Sequence, residues 1–215
     1  YPERVLALIT GDTSAIDTDY LDKVKAIGIY HLLAVSGSHV ATIIFIIQYS
    51  LVRFNIPKLF IRIFIIMILI LFIFYTNFAP SAIRAVLTAI TFFIIPKTFK
   101  ISSISVLSLV FLFMTIWNMN FAYDIGFQFS FIISFFILFS KPLFNNQSIL
   151  KNYIYITIIA QFSSMIISIY HFNQFQWIGF ISNVIFVPLY SFIIFPLSIV
   201  LFTFYHFFSD LRCIN

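Results

Sequence analysis

Residues 25–45 read KAIGIYHLLAVSGSHVATIIF, and a polar knot, Ser36-Gly37-Ser38-His39, sits where the run should be entering a lipid bilayer. Polar side chains inside a membrane lose hydration and are costly, so those that occur there are candidates for function. Gly37 and Ala41 are four apart, a step that lets a second helix approach closely. His39 has no carboxylate within four residues and no second histidine at three or four positions, so the knot does not read as a metal site.

The composition around this stretch sets the class. Of 215 residues, 62% are hydrophobic and 9% charged, with a mean hydropathy of +1.08. Soluble domains are about one quarter charged, so the chain is an integral membrane protein. Cys213, the single cysteine, excludes an internal disulfide and a cysteine-built metal centre. The start, YPERVLALITGD, lacks the basic, apolar and small-residue order of a secretion signal. Opening on Tyr1 reads as a fragment or an excised domain.

A span takes roughly 20 mostly apolar residues. Seven segments qualify: 32–52, 59–76, 80–96, 101–118, 124–140, 152–170 and 178–208. The expected fold is therefore an all-α polytopic bundle of about seven transmembrane helices. The last segment contains Pro188 and Pro196 and is too long for one straight span, so it is expected to be kinked or re-entrant. Residues 1–30 carry eight charges and read as a peripheral extracytoplasmic segment, with a helix start near Asp17-Thr18-Asp19. Residues 31–215 form the membrane domain.

Basic loops alternate with loops that have no lysine or arginine. Arg53, Lys58 and Arg62 follow the first span, Lys97 and Lys100 the third, and Lys141 and Lys151 the fifth. The connections near 77–80, 118–123 and 171–177 have none. Basic loops stay in the cytoplasm. The expected topology has the N-terminus outside and the C-terminus in the cytoplasm. The net charge of +5 comes mostly from these loops and is not by itself a sign of nucleic-acid binding.

Charge inside the spans is sparse. Arg84 lies in the first turn of the third span, where insertion of an arginine costs about 2.5–3.5 kcal/mol at mid-membrane and less near an interface. It reads either as a snorkelling anchor at a helix end or as an inward-facing charge. The neighbouring small-residue stripe of Ser81, Ala85 and Ala89 favours the second. Asp124 is the only acid between Asp22 and Asp210 and is the natural partner of Arg84; as an alternative it is a helix N-cap. Asp124 and Gln128 share a helix face, while Gly126 and Ser130 form a close-packing pair. Asn183 and Gln161 are expected to bond neighbouring helices, and His171 and His206 to lie at the interfaces. No phosphate-binding glycine loop, HExxH or His/Asp cluster is present in the sequence, and no cofactor is expected.

Three blocks in order, Gly28-Ile29-Tyr30-His31-Leu32-Leu33-Ala34-Val35-Ser36-Gly37-Ser38-His39-Val40, Arg84-Ala85 and Gly126-Phe127-Gln128-Phe129-Ser130-Phe131, resemble the competence domain of the ComEC/Rec2 family. Gly11-Asp12 and the stretch from Ile181-Ser182-Asn183 to Pro188 are similar to further steps of its pattern. Phe129 and Ser38 stand where that family usually has leucine. The resemblance implies a channel in the bacterial cytoplasmic membrane that passes single-stranded DNA during natural transformation. It implies partners among other competence proteins, including a cytoplasmic motor, besides the lipid bilayer. It assigns no enzymatic activity to this chain. Family members often carry a nucleic-acid-binding barrel before this domain and a nuclease domain after it, and neither is visible here. The motif residues it carries over are His31, Ser36, Gly37, His39, Arg84, Gly126, Gln128 and Ser130. A homodimer would double any pore lining.

Two other readings fit the polar residues taken alone. One is a small-solute or ion transporter with Arg84 and Asp124 as a coupled pair; the sequence has no internal repeat to support it. The other is an intramembrane serine hydrolase using Ser36 or Ser38 with a histidine, which requires nucleophile and base within hydrogen-bond reach.

Overall fold

The computed structural model describes residues 7–11, 16–26, 35–95, 100–144, 148–173 and 177–212. These are mostly helical, with no strand among the described residues. A short helix, α1 (Thr18–Ala26), precedes the bundle. Among the described residues, seven apolar helical segments follow. They are α2 (Gly37–Val52), α3 (Lys58–Tyr75), α4 (Pro80–Ile94), α5 (Ser103–Trp117), α6 (Ile125–Phe139), α7 (Ile149–Phe172) and α8 (Gly179–Leu189) running on into α9 (Phe195–Arg212).

Three of these are long and apolar enough to cross a membrane by length and composition: Lys58–Tyr75, Ile149–Phe172 and Gly179–Phe202. The other four hold 15 or 16 residues. At 1.5 Å per residue they are about 22–24 Å long, short of the roughly 30 Å hydrocarbon core. Their ends are set by local chemistry. Ser36, Ser102 and Asp124 stand at N-caps, and Pro80 opens α4 at its first position. Pro96 follows directly on the extended Ile95 that ends α4. Asparagines close several others: Asn55, Asn77 and Asn173 have left-handed backbones with φ of 54°, 49° and 50°, a conformation asparagine tolerates better than most residues.

The final segment is one continuous helical run broken by a π turn, Tyr190–Ile194, between Pro188 and Pro196. The two prolines expected to kink this segment flank that π turn, and single π turns are a recognised cause of helix bending. Each proline withdraws an N–H. Pro188 leaves Val184 O without its helical donor, and the Tyr153 hydroxyl of α7 donates to it at 3.0 Å. In the π turn Phe195 N–H bonds back to Tyr190 O, five residues earlier. The next step of that pattern would pair Pro196 with Ser191 O, which takes the Thr42 hydroxyl of α2 at 3.2 Å instead. Neighbouring helices thus satisfy the carbonyls that proline frees, as a dry environment requires.

Helix α4 is the hub. It packs on α2, α3, α5 and α6 and buries Ala82, Arg84, Ala85 and Val86. One apolar cluster joins α2, α3, α4 and the π-turn region through residues such as Ile65, Leu69, Val86 and Phe195. A second joins α5 and α6 through Leu107, Val110, Met114, Phe127 and Phe131, with Ile83 and Leu87 of α4 against it. Pairings of α2 with α4, α4 with α6, α6 with α7, α7 with α8, and the π turn with α2 close a circuit of helices. Helix α3 flanks this circuit on α2 and α4, and α5 flanks it on α4 and α6.

Candidate functional site: a polar circuit between helices

The first knot is a helix start. Ser36 is the N-cap of α2, and His39 occupies the third helical position, where a glutamate or glutamine completes a capping box. Here the imidazole does so: Ser36 N–H donates to His39 Nδ1 at 3.1 Å. With Nδ1 an acceptor, the other nitrogen carries the proton. His39 Nε2 therefore donates to the Tyr190 hydroxyl at 2.9 Å, and that hydroxyl donates to Leu8 O at 2.9 Å. His39 is 1% exposed and also meets Phe195 edge-on at 4.4 Å between ring centroids. One chain of hydrogen bonds thus connects the segment before α1, the start of α2 and the π turn. Ser36 Oγ and Ser38 Oγ lie 2.8 Å apart in the same knot.

Arg84 is 9% exposed, so it is an interior residue and does not snorkel. Its Nη1 donates to Ser134 Oγ of α6 at 2.9 Å, and Ser134 in turn donates to Ser130 O at 2.7 Å. The guanidinium carbon lies 5.9 Å from the centre of the Phe131 ring. On the α2 side Nη2 comes so near Gly37 that a Cβ there would sit 3.0 Å from it. The missing Cβ of Gly37 leaves room for this approach. Ser81, one turn earlier on α4, donates to Val35 O at 2.6 Å and ties α4 to the same knot.

The expected Arg84–Asp124 ion pair does not form. Asp124 caps α6, its Oδ1 accepting Phe127 N–H at 2.7 Å. It stands ten residues before Ser134, about 15 Å along the helix axis, and it is Ser134 that the Arg84 guanidinium meets. Lys23–Asp19 is the ion pair found among the described residues. Gly126 is close-packed by its own cap: a Cβ would lie 3.1 Å from Asp124 Oδ1.

Gln128 does not pair with Asp124 either. Its Nε2 donates to Ala122 O at 2.9 Å, which turns Oε1 toward α7, where His171 Nε2 donates to it at 2.8 Å. On the next seam Asn183 Nδ2 donates to Gln161 Oε1 at 2.8 Å. Gln161 lies flat over Gly179, where a Cβ would come within 2.7 Å of its Nε2.

The motif residues therefore lie on successive seams of the helix circuit. Ser81–Val35 and the Arg84–Gly37 contact hold α2 to α4. Arg84–Ser134 holds α4 to α6, and Gln128–His171 holds α6 to α7. Asn183–Gln161 holds α7 to α8, and His39–Tyr190 with Thr42–Ser191 closes the π turn onto α2. Residues with this arrangement are matched over positions 8–213 by the family model for competence protein. The chain belongs to the competence protein family. Over 194 residues it is 30% identical to ComE operon protein 3 of Bacillus subtilis strain 168. That match takes in 89% of this chain and 25% of the relative, so the chain spans about a quarter of the relative's length. No solved structure matches it.

Within this competence domain His31 lies outside the described residues. Ser36, Gly37, Ser38 and His39 stay together as one knot, with Arg84 against it. Asp124 and Gly126 stand apart at the start of α6, Gln128 lies on the α7 seam, and Ser130 contributes a carbonyl to Ser134. Asn183 belongs to the α7–α8 seam. Tyr190, Ser134 and Tyr153 were not singled out by the sequence reading. Each had a signal: Ser134 follows Ser130 by one turn, Tyr190 follows Pro188 in an apolar run, and Tyr153 opens the sixth span. No group of three metal-ligating side chains occurs among the described residues.

Proposed function

We propose that this chain is the membrane-channel part of a DNA-uptake protein and passes one strand of incoming DNA across the bacterial cytoplasmic membrane during natural transformation. The observation that carries the reading is Arg84: a buried guanidinium at the junction of α2, α4 and α6, with no carboxylate partner among the described residues. An uncompensated cation in a dry setting favours an anion near it, and the nucleic-acid backbone is a polyanion. Membership of the competence family supplies the biological setting.

In this reading the protein is multi-pass, with its N-terminus outside and its C-terminus in the cytoplasm. It is a conduit and not an enzyme, and it depends on a cytoplasmic motor and other competence proteins; pairing of two copies would double any pore lining. The transporter alternative loses its main support, because the Arg84–Asp124 pair it relied on is not formed. For a hydrolase, Ser36 Oγ does approach His39 Nδ1 to 3.1 Å. However, the other imidazole nitrogen faces Tyr190 where a carboxylate would be needed, and the ring is closed from solvent.

The test is import of labelled DNA into a DNase-protected pool. Cells carry the full parent gene as wild type, as a deletion, or as Arg84→Gln or Gln128→Ala. The expected outcome is loss of the protected pool in the deletion, with surface-bound DNA unchanged, and reduced import in point mutants that reach the membrane at normal levels. Normal import in the deletion strain overturns the channel reading and makes small-solute transport the leading account.

A further inference from the structure

A cleft of about 290 Å³ opens between α4, α5 and α6. Arg84, Ser103 and Ser134 supply its polar wall, and Phe92, Leu107 and Leu138 its apolar one. It runs along α4 from Arg84 to Phe92, about 12 Å of helix rise. Three features of it are independent. Arg84 Nε is buried with no hydrogen-bond partner, on a cation that lacks a counter-ion among the described residues. Ser103 is the first residue of α5, a 15-residue helix whose first free N–H groups and positive dipole end lie at this edge of the cleft. The opposite lining is hydrocarbon, with Phe92 about half exposed on the outer surface of the bundle.

A ligand matching this cleft is an amphiphile with a negatively charged oxygen-rich head beside a glycerol and acyl chain. We propose that the cleft binds the phosphodiester head of an anionic membrane phospholipid. The position agrees with the charge pattern. Ser103 follows Lys100, which lines a neighbouring cleft with Ser102 and Ser105, and basic pockets between helices on the cytoplasmic side are where anionic headgroups bind. The cleft is near the small end of ligand pockets, about 300–1,000 Å³, which suits one phosphodiester and its flanking carbons. It is bounded by α5, which flanks the helix circuit, so lipid reaches it from the bilayer. A phosphodiester in the cleft lies between the guanidinium at one end and the Ser103 end of α5 at the other, and its charge offsets that of Arg84. The lipid head would take the cation that the DNA-uptake reading leaves for a strand, so the two are rival occupants of Arg84 and the oligonucleotide arm of the test separates them.

The experiment is native mass spectrometry of the full parent protein in detergent, titrated with dioleoylphosphatidylglycerol and, as a phosphate-free control, dioleoylglycerol. The wild type is expected to retain phosphatidylglycerol and not the control. Loss of charge-assisted hydrogen bonds weakens retention about tenfold in Arg84→Gln, with Arg84→Lys between it and the wild type. Ser103→Leu, which blocks the cleft and leaves Arg84 in place, gives the same loss and carries the test if Arg84→Gln fails to fold. Equal retention of phosphatidylglycerol by wild type and Ser103→Leu overturns the proposal. So does competitive displacement of the lipid by a short single-stranded oligonucleotide, which would make the cleft a nucleic-acid contact.

Discussion

His39 and Tyr190, 151 positions apart in sequence, share a hydrogen bond of 2.9 Å that joins the first turn of α2 to the π turn between Pro188 and Pro196. Both residues are buried, and the tyrosine passes the chain of bonds on to Leu8 O. Interhelical hydrogen bonds in membrane proteins contribute about 0.6 kcal/mol on average and up to about 1.7. Tyr190→Phe and His39→Ala are each expected to destabilise the protein. In a double-mutant cycle, unfolding in lipid bicelles should show coupling of about 1 kcal/mol. Additive effects would mean that the two side chains do not act as a pair.

The Tyr153 hydroxyl matters because of a proline on another helix. It donates to Val184 O, the carbonyl that Pro188 leaves without a backbone donor. Tyr153→Phe orphans that carbonyl at a cost of about 1–3 kcal/mol. In a Pro188→Ala background the backbone N–H returns and the same substitution should cost much less. Equal costs in the two backgrounds, read from the same unfolding equilibrium, would refute the compensation.

Two glycines leave room for side chains of other helices. Gly179→Ala puts a Cβ 2.7 Å from Gln161 Nε2 and must displace the amide that holds Asn183. Gly37→Ala puts one 3.0 Å from Arg84 Nη2. Both contacts are with the ends of flexible side chains that can swing aside, so each is expected to destabilise by about 1 kcal/mol at most, the low end for overpacking. The shorter side chain of Gln161→Ala should relieve Gly179→Ala, and Arg84→Ala should relieve Gly37→Ala. Thermal unfolding of the four single and two double variants checks both; a double variant weaker than the sum of its singles would count against the steric account.

The sequence made the segments legible because their punctuation is chemical and local. Helices fall in the expected segments, three of them long enough to cross a membrane, and Asn55, Asn77 and Asn173 between them have left-handed backbones. Span length was less legible. The first segment begins as a helix only at Gly37, since Ser36 caps it, and four helices stop at 15 or 16 residues. The site was readable residue by residue and not pair by pair. Arg84 and Asp124 were joined on charge and topological side alone, but which turn of α6 meets α4 depends on packing of Ile83 and Leu87 against Phe127 and Phe131. His39 gave no hint of Tyr190, because a contact across 151 residues follows from the closing of the helix circuit.

Arg84, Ser134 and Asp124 provide the clearest discrimination between the pairing that charge suggests and the one that packing produces. Asp124→Ala removes an N-cap and is expected to cost about 0.5–2 kcal/mol, whereas Asp124→Asn or Asp124→Ser keeps a capping oxygen and should cost little. Because Asp124 and Arg84 share no contact, their effects should add within about 0.5 kcal/mol. Ser134→Ala removes the acceptor of Arg84 Nη1 and leaves a buried charge less well solvated, so Ser134 and Arg84 should couple by more than that. Unfolding equilibria of the Arg84→Gln/Ser134→Ala and Arg84→Gln/Asp124→Asn cycles, measured side by side, check both statements. Strong coupling in the aspartate cycle with additivity in the serine cycle would restore the ion pair and remove the basis for treating Arg84 as a cation held open for an anion.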